Sequence, residues 1–202
     1  MNNRFSGNPE RVAILSYHIS LFFDDDKMIC SRYKEERFTV YDMANESSLA
    51  FGDSIATDNC PPEHAFGIIQ GLCFGNPKQK RYVWASMWGE IVEIYDYETT
   101  GKIKTVANIK GRMPVLNNSS AQPTLSVNTK IGVVSITGSD KYVYMLYNDN
   151  TLMNSFVKKK DVLLCNKILV YDWDGIPQKI LTFKPKISSI SYNEKYKRLH
   201  CA

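Results

Sequence analysis

The chain has 202 residues, 44% hydrophobic and 23% charged, the balance of a soluble globular protein with one large or two small domains. Its net charge of +4 is mild and comes from basic residues that are scattered except for Lys158-Lys159-Lys160, which argues against nucleic-acid binding, since that needs a concentrated basic face. No apolar run approaches the ~18 residues of a membrane span, and the first residues lack the apolar core and small-residue cleavage site of a signal peptide.

Residues 1–10 carry no periodic pattern and are expected to be disordered. From there on the sequence alternates with period two, the signature of strands with one buried face. Aromatics make up 12% of the chain, 12 of them Tyr, and such side chains suit pleated, half-buried surfaces. A first unit, about 11–55, reads as four strands A to D: "ILSYHISLFFDDD", "KMICS", "RFTVYD" and "SSLAFGD". A second, about 66–110, repeats them as "GIIQGLCFGNPKQ", "RYVWAS", "EIVEIYD" and "KIKTVANI". A third, about 130–184, follows as "KIGVVSITGSD", "KYVYMLY", "KILVYD" and "QKILTF". Residues 186–202 begin a fourth with "ISSISYN" and "KRLHCA", each 56 residues after its equivalent.

The repeat is sharpest in strand C, where Tyr41-Asp42, Tyr95-Asp96 and Tyr171-Asp172 recur. From the middle of strand B to this Tyr the chain runs 12, 12 and 28 residues, so the third unit carries an insertion of 16. Asp174-Gly175 marks a tight third C–D hairpin, because such turns need positive φ. Four short antiparallel strands repeating every 54 to 60 residues describe an all-β fold of propeller blades. A sandwich is the alternative, but sandwiches do not repeat one strand motif so regularly.

The run from Lys167 to Ala202 resembles the closing half of the TolB-like six-bladed propellers of bacteria, a family largely without assigned activity. The resemblance rests on Val170, Tyr171, Asp172, Trp173, Gly175 and Pro177, then Lys179, Leu181 and Phe183, then Ile187 to Glu194 and Leu199 to Ala202. It extends back to about Val12, and it implies an incomplete TolB-like ring. It also implies export to the periplasm or cell surface for a full-length form, although this chain shows no signal peptide. The compartment is left open. A break inside the fourth unit makes the chain either a fragment of a longer gene product, the favoured reading, or a half-ring that self-associates through exposed blade faces.

Motifs of chemistry are sparse. An Asp repeated in every unit, as Asp42, Asp96 and Asp172 are, is expected to serve the following turn, since an active site is needed once. Asp24-Asp25-Asp26 reads as a solvated A–B turn. His18, His64 and His200 fall in different units. Five cysteines, odd in number and without CxxC spacing, argue against a disulfide framework or a zinc site. Trp84, Trp88 and Tyr82 around "MWGE" are expected to pack between blades. The insertion, "NDNTLMNSFVKKKDVLLCN", carries Phe156, Lys158, Lys159 and Lys160 and is the candidate recognition loop, because long loops on rigid scaffolds carry function. Its apolar flanks are expected to pack back on the blade.

No cofactor and no catalytic or metal residue is expected. The leading expectation is a non-catalytic binding or scaffold module for a protein, peptide or glycan ligand. A metal-dependent, lactonase-like propeller hydrolase and a non-functional truncated gene product are the alternatives.

Overall fold

A computed structural model describes residues 21–24, 27–31, 36–52, 70–97, 103–117, 124–158 and 163–202. Residues 1–10, and with them the expected disordered segment, lie outside these. Among the described residues three antiparallel four-stranded sheets form in chain order. Blade 1 comprises β1 (Leu21–Asp24), β2 (Lys27–Ser31), β3 (Phe38–Asp42) and β4 (Ser47–Phe51). Blade 2 comprises β5 (Gly71–Asn76), β6 (Arg81–Ser86), β7 (Ile91–Asp96) and β8 (Lys104–Lys110). A short hairpin, β9 (Leu116–Asn117) with β10 (Thr124–Leu125), leads to blade 3: β11 (Val133–Gly138), β12 (Tyr142–Tyr147), β13 (Cys165–Asp172) and β14 (Pro177–Ile187). β15 (Ile190–Asn193) and β16 (Arg198–Cys201) make a two-stranded half-blade.

Each sheet pairs its strands in sequence order, and the first strands β1, β5, β11 and β15 neighbour one another in turn. That is the wiring of propeller blades radiating from an axis, here as an open arc. The all-β propeller expectation therefore holds. One boundary differs. Ile187 was expected to open the fourth strand A, but it closes β14 by pairing with Cys165, and β15 begins at Ile190. Ile187 and Ile190 share one apolar cluster, so each lies on the packed face of its own strand.

The core lies between blades. Blades 1 and 2 meet through aromatics: Phe38 lies edge-on to Tyr82 and Tyr95, with ring centroids 5.6 Å away in both cases. Inside this layer the buried Arg37 guanidinium pairs with the Glu93 carboxylate. The guanidinium stacks 4.6 Å from the Trp84 ring and 4.9 Å from Phe38, and Glu93 also accepts the Tyr95 hydroxyl at 2.9 Å. Between blades 2 and 3 the layer is aliphatic, with Val83, Ala85 and Ile94 against Val143 and Met145. Trp173 closes its outer end, stacked on Phe74 at 6.4 Å and donating its indole N–H to the Ser139 carbonyl at 2.9 Å. The other face of blade 3 packs Leu146, Ile168 and Val170 against Ile190. Here Tyr144 and Tyr192 stack at 5.5 Å.

Side chains supplement the joint between the innermost strands β11 and β15. Ser135 Oγ accepts the Ile190 N–H at 3.1 Å, and Thr137 Oγ1 accepts the Tyr192 N–H at 3.1 Å. Spacing at the outer edge is set by Gly175. Its φ is +82°, and a Cβ there would lie 2.4 Å from Ala107 Cβ on β8 of the preceding blade.

Candidate functional site

Antiparallel order fixes what gathers at each end of the blades. A–B and C–D turns share one end, while B–C and D–A connections share the other. The repeated Tyr-Asp motifs and the insertion therefore lie at opposite ends.

At the A–B/C–D end the motifs hold turns. Asp42 Oδ1 accepts the N–H groups of Ala44 at 3.1 Å and Asn45 at 3.0 Å. Hydrogen bonds from the Asn45 side chain and backbone hold its carboxyl below the usual range. Asp172 Oδ1 accepts the N–H groups of Asp174 at 3.0 Å and Ile176 at 2.9 Å. Asp96 pairs with Arg81, whose second amine lies 3.8 Å from Asp174 of blade 3. Tyr95 is buried, and Tyr41 and Tyr171 are half-buried. Adjacent A–B turns are also joined, since Lys78 reaches the Asp140 carboxylate at 2.7 Å. Asp25 and Asp26 lie outside the described residues, as do His18, His64 and Cys60. His200 lies on β16 and is exposed. Among the described residues no three His, Cys, Asp or Glu side chains converge as metal ligands.

At the opposite end, blades 2 and 3 are sewn together by the strap Thr129–Gly132. On one side Gly89 N–H donates to the Lys130 carbonyl at 2.9 Å, and Gly132 N–H donates to Met87 at 2.7 Å. On the other side Ile131 N–H donates to Asn150 at 2.9 Å, and Leu152 N–H donates to Thr129 at 2.9 Å. The strap thus bonds to the B–C connections of both blades. A Cβ on Gly132 would lie 2.2 Å from the Gly89 carbonyl, so only glycine allows this approach.

A polar network overlies the strap. Glu90 accepts the Tyr147 hydroxyl of blade 3 and, at 3.1 Å, the Arg112 N–H. Burial pushes the Glu90 carboxyl up, but Tyr147, Arg112 and Lys130 outweigh it and hold it below the ordinary range. Burial first, and Glu90 second, push the Tyr147 hydroxyl well above its usual value. The hydrogen bond from Lys167 outweighs burial and lowers the Asp149 carboxyl, while Lys130 Nζ donates to the Asp149 carbonyl.

The described part of the insertion contains one π-helical turn, Met153–Val157, closed by Lys158 N–H donating to the Met153 carbonyl at 2.9 Å. Such turns recur at functional sites. Met153 N–H donates at 2.7 Å to Val127, and Thr129 Oγ1 donates at 2.8 Å to the Val115 carbonyl. Insertion and D–A connection therefore form one substructure. Of its apolar flanks, Phe156 and Val157 do not pack back, being 45% and 59% exposed, while Leu163 is half-buried and Val162 lies outside the described residues; Val115 and Val127 of the D–A connection are 48% and 42% exposed. Lys158 is exposed at its end, while Lys159 and Lys160 lie outside the described residues. Trp84 and Tyr82 are buried between blades, as expected, and Trp88 is half-buried with its indole N–H donating to Gln70 at 3.2 Å.

Sequence reasoning found the insertion but missed Glu90, Arg112, Tyr147, Val115 and Val127. The apolar residues in the polar D–A segment "GRMPVLNNSS" were the one available signal.

Among solved structures, the chain superposes on the Malassezia sympodialis allergen Mala s 1 with a TM-score of 0.50 and 13% identity, covering 90% of this chain and 55% of that one. A DUF4221 family member from Bacteroides vulgatus gives a TM-score of 0.50 at 12% identity, covering 92% and 58%. The Cps50 (Swd1) β-propeller domain of Myceliophteria thermophila gives 0.48 at 9%, covering 91% and 50%. These likenesses concern the fold alone, and the chain spans about half the length of each structure. No curated protein matches it by sequence. The TolB-like 6-blade propeller-like family matches residues 8–195, nearly the whole chain, and the protein belongs to that family.

Proposed function

We propose that this chain is a non-catalytic propeller module that docks a partner on the B–C/D–A end of the seam between blades 2 and 3. One observation carries the reading. Val115, Val127, Phe156 and Val157 stand exposed on a substructure whose backbone is otherwise hydrogen-bonded into the blades. Apolar side chains on a rigid base are suited to recognition, because little conformational entropy is lost when a partner covers them. The turn-holding Asp residues at the other end serve the blades themselves.

Selection of displayed peptides on the immobilised chain tests this. Enriched peptides are expected to bind the wild type and to lose at least about tenfold in affinity, or about 1.4 kcal/mol, against the double variant Phe156→Ser/Val157→Ser. Peptides indifferent to that variant would move the docking surface elsewhere.

A further inference from the structure

Resting on that docking surface, we infer that its partner is an acidic amphipathic segment of another protein, with Asp or Glu side chains set around apolar anchors. The apolar patch is rimmed by cations. The Arg112 side chain is 67% exposed and its Nε lies 4.0 Å from Glu90, a loose contact. Lys158 is exposed and forms no ion pair among the described residues. Lys130 is half-buried, donates to the Asp149 carbonyl and acts on both Glu90 and Asp149, so it adds to the local positive charge behind the rim.

The carboxylates nearby are already engaged. Glu90 is held by Tyr147 and the Arg112 N–H, and Asp149 is paired with Lys167. Among the described residues of this seam, Arg112, Lys130, Lys158 and Lys167 face only these two carboxylates, so positive charge is in excess. An incoming carboxylate meets the exposed Arg112 and Lys158, whereas an incoming ammonium group meets the same excess of positive charge. Like charges brought together at an interface are excluded strongly, so the rim selects by sign while the apolar centre supplies contact area. Arg112 adds a planar fork suited to a carboxylate.

The test uses the full chain and two fluorescent peptides of about twelve residues, an amphipathic repeat of Glu, Leu and Phe and its counterpart with Lys for Glu, read by anisotropy. The Glu peptide is expected to bind at least about tenfold more tightly, to weaken as salt rises, and to weaken again on Lys158→Glu. In Arg112→Glu/Lys158→Glu the preference is expected to invert, with circular dichroism confirming the fold. Equal binding of both peptides, still lost in Phe156→Ser/Val157→Ser, would overturn the acidic partner and leave the docking surface standing. Absence of binding by either peptide overturns both. A wild type that sediments as a dimer, with Phe156→Ser/Val157→Ser monomeric, would assign the patch to a second copy and overturn the acidic partner.

Discussion

Replacing Arg37 with Met removes the cation from a carboxylate with almost no access to water. The side chains of Arg37 and Glu93 are each 3% exposed. In Arg37→Met the only partner described for Glu93 that remains is the Tyr95 hydroxyl at 2.9 Å. Breaking a buried pair from one side costs about 3–5 kcal/mol, because the remaining charge is uncompensated. Met keeps an unbranched apolar stem beside Trp84, so packing loss contributes little. For a chain of this length that cost corresponds to a drop in Tm of roughly 6–20 °C. Adding Glu93→Leu removes the stranded charge but takes an acceptor from Tyr95, worth about 1–3 kcal/mol. Adding Tyr95→Phe removes that donor as well. Urea unfolding followed by Trp fluorescence is therefore expected to show the single variant much weakened, the double variant partly recovered and the triple variant close to wild type. A single variant within about 1 kcal/mol of wild type, or a triple no better than the single, would refute the reasoning.

Gly175→Ala combines a methyl 2.4 Å from Ala107 with a φ of +82°; a loss of about 2–4 kcal/mol is expected in chemical unfolding. Trp173→Ala empties a buried indole site and orphans the Ser139 carbonyl, and about 3–5 kcal/mol should be lost by the same measurement. Asp172→Ala frees two turn N–H groups at an exposed site. It should cost about 0.5–1.5 kcal/mol and leave peptide binding at the far end unchanged. Because Glu90 is held below the ordinary carboxylate range, its contribution is complete above that range and is lost as pH falls through its folded pKa. Tyr147→Phe should raise the Glu90 pKa and flatten that acid loss, as read from unfolding across acidic pH.

The blades were legible because period-two alternation and the Tyr-Asp motif mark strand C three times. The Asp172–Gly175 turn was equally plain, since its chemistry is local. The seam was not. Glu90, Arg112 and Tyr147 come from a B–C turn, a D–A connection and a strand end, and only blade packing brings them together. Glu90 looked like any surface carboxylate. The role of Gly132 was hidden for the same reason, because the carbonyl that excludes its side chain belongs to Gly89, 43 positions earlier. The insertion was found by counting, but its π-helical turn was not. With one turn there is no periodicity to read, and Phe156 and Val157 looked like residues that should be buried.

The contact between Gly175 and Ala107 also acts as a gauge for curvature. It lies at the outer edge of the arc, between the C–D turn of one blade and the outermost strand of the one before. A methyl inserted there is a shim on the wide side of a wedge. It would enlarge the rotation from blade 2 to blade 3, and the larger such rotations are, the fewer blades complete a circle. The bare Cα of a single glycine thus helps to set how many blades such an arc could close with.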